Sequence, residues 1–105
     1  MEAMEIQIHQ LIDELHIPES GKKSIVIADN ELAKIVLFGF AAGAGLSEHV
    51  APLPAIIQII QGDAELTVGD EQVTGKPGTW IQMKAKTPHS IRTITPVILL
   101  LTLFK

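Results

Sequence analysis

The sequence predicts an all-β domain closed as a sandwich or barrel. Three observations lead there. Short runs rich in Ile, Val and Thr recur along most of the chain, turn signals separate them, and helical periodicity is confined to one N-terminal stretch. The regular alternation of strand and helix patterns that marks βαβ units is missing from the sequence.

The first element is the helical one. Ile8, Leu11, Ile12 and Leu15 fall at i, i+3, i+4 and i+7, with Gln10, Asp13 and Glu14 between them, so a short helix is expected in the segment 1–21. Pro18, Ser20 and Gly21 end that pattern, because proline restricts the residue before it and glycine relaxes the turn. A single domain then runs over 22–105, with strands expected at 24–28, 33–40, 55–60, 64–68, 79–83, 90–94 and 97–104. Asp29-Asn30 and Gly69-Asp70 suit hairpin turns, since these residues tolerate positive φ. The glycine-rich stretch from Gly39 to Gly45 lacks the Gly-Lys-Ser/Thr ending of a phosphate loop, and no helical pattern follows it. It reads as a turn between strands.

The strands differ in how many faces they must cover. Ala64, Leu66 and Val68 alternate with Glu65 and Thr67, so one face of that strand meets water. Ile56, Ile57, Ile59 and Ile60 flank a single Gln58, and Val97 to Leu101 has no polar position. Such strands need cover on both faces, either from the N-terminal helix or from a second subunit. One short helix covers little area, which favours a homodimer.

Composition narrows the class. At 105 residues the chain makes one domain, and the absence of cysteine excludes a disulfide scaffold, zinc ribbons and a cysteine nucleophile. A net charge of −4 argues against nucleic acid, whose binding by counterion release wants a basic face. The segment from Met1 to Asp13 holds three acids and no base, the wrong charge for a signal peptide. The longest apolar run is far below the roughly 20 residues of a membrane-spanning helix, so the chain is expected off the membrane and in the cytoplasm. A mean hydropathy of +0.32 leaves an aliphatic surplus for an oligomer face or a ligand cavity to absorb.

Four histidines carry most of the chemical interest. His9 and His16 lie two helical turns apart, too far for one metal, and read as solvated surface residues. His49 and His89 each stand in a proline-marked setting beside a strand, in Ser47-Glu48-His49-Val50-Ala51-Pro52 and Thr87-Pro88-His89-Ser90. Ser47 and Ser90 neighbour them, but no carboxylate is placed to orient an imidazole as a serine nucleophile requires. Lys84, Lys86 and Arg92 form a modest basic cluster that reads as a solvated loop. With aromatics at 4%, flat stacking platforms for sugars or single-stranded nucleic acid are scarce, and Trp80, Phe38, Phe40 and Phe104 read as core or interface anchors.

The stretches Gly43 to Gly62 and Gly78 to Thr93 resemble the two motifs of the cupin superfamily. His49, Gly62, Gly78 and His89 match; Ala51 replaces the second histidine of the first motif and Ala55 its glutamate. Lys84-Ala85-Lys86 stands for Pro-x-Gly, and Thr93 for the closing asparagine. A closer resemblance, over about 22–105, is to small single-domain bacterial cupins that already carry alanine at the second histidine position. Pro54 departs from that subgroup, which has aspartate there. The resemblance implies a jelly-roll barrel (a double-stranded β-helix, RmlC-like) whose interior in the family often holds a divalent metal on three histidines and one glutamate.

Two of those four ligands are missing, and a tight transition-metal site takes at least three from the protein. Glu48 is no substitute if His49 faces inward, since neighbouring strand residues point apart, and Gln58 meets the same difficulty. The expectation is therefore a barrel that binds a small molecule, with a pocket of His49, His89, Ile57, Ile59 and Met83 and a degenerate or absent metal site. The alternative is a metal-dependent cupin enzyme of dioxygenase or isomerase type. It would hold zinc, iron, manganese or nickel on His49, His89 and a further ligand the sequence does not identify.

Overall fold

Alternation along each strand decides which of its faces is dry, and two sheets close over the dry faces. The computed structural model describes Glu5–Lys105, so the first four residues of the N-terminal segment lie outside the described residues. Nine strands follow one another: β1 (Lys22–Asp29), β2 (Ala33–Phe40), β3 (Gly45–His49), β4 (Ala55–Gln61), β5 (Ala64–Val68), β6 (Glu71–Gly75), β7 (Trp80–Met83), β8 (His89–Thr93) and β9 (Val97–Phe104). They form a five-stranded sheet in the order β1-β2-β9-β4-β7 and a four-stranded sheet in the order β3-β8-β5-β6. Every pairing is antiparallel. From β2 onward the chain passes from one sheet to the other at each step except the β5–β6 hairpin, the path of a jelly roll.

The expected turns close two hairpins. Gly69, at φ +58, supplies the positive φ that the first central position of the two-residue β5–β6 turn demands. In the β1–β2 turn the Asn30 side-chain oxygen accepts from the backbone N–H groups of Leu32 (2.9 Å) and Ala33 (3.2 Å).

Between the sheets, Phe40, Ala55, Ile59, Ala64, Leu66, Met83 and Val97 are buried in one cluster. Each large side chain in it contributes about 1.5–3 kcal/mol relative to exposure. The other face of the five-stranded sheet is also apolar, and there Leu37 and Ile98 are buried beneath Leu15, with Leu11, Ile17, Ile25 and Ile27 around them. Gly39 makes this contact possible: a Cβ there would stand 2.5 Å from Leu15 Cδ1.

The expected N-terminal helix shrinks to one 3-10 turn at Leu11–Asp13. An isolated helix of that length is marginal without a packed face, and of this segment's described residues Leu11, Leu15 and Ile17 join the apolar cluster on the sheet. Two strands, β3 and β6, add to the seven expected. Both are sheet edges with mainly polar sequences, so their alternation was weak. Among the described residues no helix is long and apolar enough to cross a membrane.

Candidate site at the paired histidines

The site begins with an irregularity in β3. Leu46 pairs with Ile91 and His49 with His89, so three steps along β3 match two along β8. The extra residue is a β-bulge, and it changes which way the strand's side chains point. Under strict alternation Leu46 and His49 would face opposite sides. With the bulge both border the barrel interior, while Ser47 and Glu48 line a groove on the outer side of the four-stranded sheet. Gly45 starts the strand at φ +153, where a Cβ would run into the Ile91 carbonyl of β8. Thr93 fixes the other end of the contact. It is buried, and its hydroxyl donates to the Ala41 carbonyl at 2.6 Å, with the Ala44 carbonyl at 3.2 Å, tying the β2–β3 turn to β8.

His89 is set by the loop between β7 and β8. Thr87 N–H and Thr87 Oγ1 both donate to the Lys84 carbonyl, Lys86 N–H donates to Ala51 at 2.8 Å, and the Pro88 carbonyl accepts from Gly69 N–H. Lys86 takes a left-handed φ of +66, at the position where the cupin motif carries glycine. The loop thereby presents the Thr87 carbonyl to His89, and it also holds the strand end beyond His49 through Ala51.

The two imidazoles lie side by side, with centroids 4.1 Å apart and planes inclined at 57°. Each Nδ1 meets a backbone carbonyl two residues earlier in sequence: His49 that of Ser47 at 2.9 Å, His89 that of Thr87 at 2.8 Å. A carbonyl oxygen only accepts, so both Nδ1 atoms carry hydrogen, and in the neutral ring Nε2 is left with its lone pair. His89 is 7% exposed whereas His49 is exposed. Burial lowers the His89 pKa from its ordinary value, and repulsion from His49 lowers it further, against the Thr87 carbonyl, which raises it.

Both rings border a cavity of about 30 Å³, enough for one or two water molecules. Apart from Ser90, its other walls are apolar. Phe38 and Phe40 of β2, stacked with centroids 5.6 Å apart, join Ile57 of β4 and Leu99 and Leu101 of β9. Of the five pocket residues expected from sequence, His49, His89 and Ile57 line this cavity. Ile59 and Met83 also face the interior, but they belong to the closed core and are not on its walls. The phenylalanine pair was not assigned to the pocket by sequence reasoning. Its signal was present as the i, i+2 spacing of Phe38 and Phe40 in β2.

The metal set implied by the cupin motifs can be tested on the donors. Ala55 faces the interior at 1% exposure, so the strand position given to a glutamate offers only a methyl group. Glu48 lies on the outer groove, and Gln58 pairs with Leu100 and Trp80 in the outward-facing row of the five-stranded sheet. Among the described residues no group of three or more His, Cys, Asp or Glu could hold a metal ion. Two imidazoles do not make the three-ligand set of a tight transition-metal site. His9 is engaged elsewhere, with Glu14 at 2.6 Å and Gln7 at 3.2 Å, and His16 is exposed.

Comparison with known proteins agrees with this architecture. The family pattern described as cupin domain matches residues 36–103. Curated proteins give no match. A conserved protein of unknown function from Streptococcus pyogenes is similar at a TM-score of 0.83 and 25% identity, covering 94% of this chain and 87% of that one. An RmlC-like cupin from Desulfovibrio desulfuricans superposes at 0.84 with 24% identity over 94% and 96% of the two chains. A cupin superfamily protein from Desulfitobacterium hafniense gives 0.79 and 24% over 86% and 83%. With more than half its length matched by the family pattern, the chain belongs to the cupin family, and it shares the jelly-roll fold of these structures.

Proposed function

We propose that this cupin binds a small, largely apolar molecule carrying a hydrogen-bond donor, held by His49 and His89 at the inner wall of the barrel. The observation that carries this reading is the convergence of two imidazoles on one apolar cavity, each anchored through Nδ1 and each keeping an Nε2 acceptor. A donor on the ligand satisfies those acceptors, and the phenylalanine and leucine walls take its carbon skeleton. Since the cavity measures only about 30 Å³, a ligand enters by moving β3 outward. This strand is an edge with a bulge in it, the most easily displaced wall of the site.

A second reading is a metal-dependent cupin enzyme. It is favoured by the carbonyl behind each imidazole, an arrangement that also orients histidines toward a metal. Two measurements separate the readings. Thermal unfolding with a panel of small alcohols, carboxylic acids and sugars is expected to give a rise in Tm for a subset of compounds, lost in both His49→Ala and His89→Ala. Shifts that survive both substitutions, or no shift with any compound, contradict the proposal. Near-stoichiometric iron, manganese, nickel or zinc in protein purified without added metal replaces it with the second reading.

A further inference from the structure

We propose, resting on the reading that His49 and His89 hold the ligand, that this ligand is a neutral aromatic primary amine. Its NH2 group donates one hydrogen to each imidazole, and its ring lies on the phenylalanine pair. The polar side chains of the cavity offer acceptors and lack donors. Both Nδ1–H groups are spent on the Ser47 and Thr87 carbonyls, so each ring has only its Nε2 lone pair left. Ser90, between the buried His89 and Ile91 on β8, is turned by alternation toward the outer groove. With the imidazole centroids 4.1 Å apart, one nitrogen about 3 Å from each acceptor bridges the pair.

Other polar groups leave something unpaired. A carboxylate needs donors, and either ring donates at Nε2 only when protonated, which sets a charge against apolar walls. A carboxamide brings two hydrogens but also a carbonyl oxygen that finds no donor. A hydroxyl has one hydrogen for two acceptors. An alkylamine is an ammonium near neutral pH, and no carboxylate lines the cavity to receive its charge. An aromatic amine stays neutral, carries two hydrogens on one nitrogen, and has its lone pair drawn into the ring.

The walls suit a flat ring as well. Phe38 and Phe40 project from β2, in the sheet opposite the histidines, with ring planes only 9° apart. A third ring packed on them gains more than its buried area alone supplies. The way in has the same shape. Leu46, Ser90 and Ile91 border both the cavity and the outer groove of about 550 Å³, so the wall between them is one pair of strands thick. Parting β3 from β8 opens a slit, which admits a planar ring more readily than a bulky aliphatic group.

One-ring probes titrated above pH 7 and followed by NMR test this directly: aniline, N-methylaniline, phenol, benzamide, benzoate and benzylamine. Aniline is expected to bind tightest, with N-methylaniline and phenol, each one hydrogen short, about tenfold weaker. Benzamide, benzoate and benzylamine are expected to bind more weakly still. In His49→Ala only one acceptor remains, so the advantage of aniline over N-methylaniline should shrink to about twofold or less. His49 is exposed, and unchanged thermal unfolding of the free variant confirms that it folds. Phenol, benzoate or benzylamine binding as tightly as aniline overturns the inference. So does an advantage over N-methylaniline that persists in His49→Ala, or no binding by any probe. Phenol held through both histidines while aniline is refused would sink the amine and leave the two-histidine reading standing. Binding that ignores both His49→Ala and His89→Ala would remove the two together.

Discussion

The two histidines come from strands of opposite character. His89 sits on β8, between β3 and β5, in regular register with Val68 on one side, and it is buried. His49 sits at the end of β3, an edge with one neighbour, and reaches the interior only because a bulge shifts the register. One imidazole is fixed by the sheet and the other by a local departure from it. The difference teaches where the site can give: the β8 half is a template, and the β3 half is a movable wall whose position depends on a few backbone contacts.

The comparison can be broken most forcefully at Gly45. A side chain there meets the Ile91 carbonyl, which is backbone and cannot yield, and the glycine holds a positive φ as well. Gly45→Val is expected to cost about 3 kcal/mol in urea denaturation and to pry β3 from β8. Histidine resonances should then show His49 altered far more than His89. Equal disturbance of both rings would mean that the two halves are not separable.

A smaller effect sharpens the contrast through pH. His89 titrates below its ordinary value of 6.5 in the folded protein, chiefly because it is buried, so the unfolded chain takes up a proton that the folded chain resists. Its contribution to stability is full above 6.5 and is lost as the pH falls from there through the lowered folded-state value. Denaturation midpoints measured across that window should decline toward acid in wild type and decline less in His89→Gln. The same slope in both proteins would show that the buried ring is not the titrating group.

Much of this architecture can be read from residue patterns, and the omissions have physical reasons. Period-two alternation in Ala64 to Val68 and the doubly apolar Val97 to Phe104 revealed strands because burial constrains those side chains. β3 and β6 are polar edges, where burial constrains little and the pattern fades. The helical spacing of Ile8 to Leu15 was real as a pattern, but Ile8 and Ile12 remain exposed, so nothing rewards a helix there. For the site, alternation tells which face a residue takes but not its depth along the barrel. Ile57, Ile59 and Met83 all point inward, and only Ile57 lies at the level of the histidines. The bulge in β3 has no mark in the hydrophobic pattern, because the residues it displaces, Ser47 and Glu48, are polar.

The central claim is that both imidazoles are held through Nδ1–H, leaving two Nε2 acceptors at the cavity. Long-range nitrogen–proton correlation NMR of histidine-labelled protein above pH 7 reads the tautomer of each ring directly. The account predicts protonated Nδ1 and unprotonated Nε2 for both His49 and His89, with both Nε2 resonances moving when a stabilising compound is added. An Nε2–H tautomer at either ring, or a bound compound that leaves both nitrogens unmoved, would contradict it.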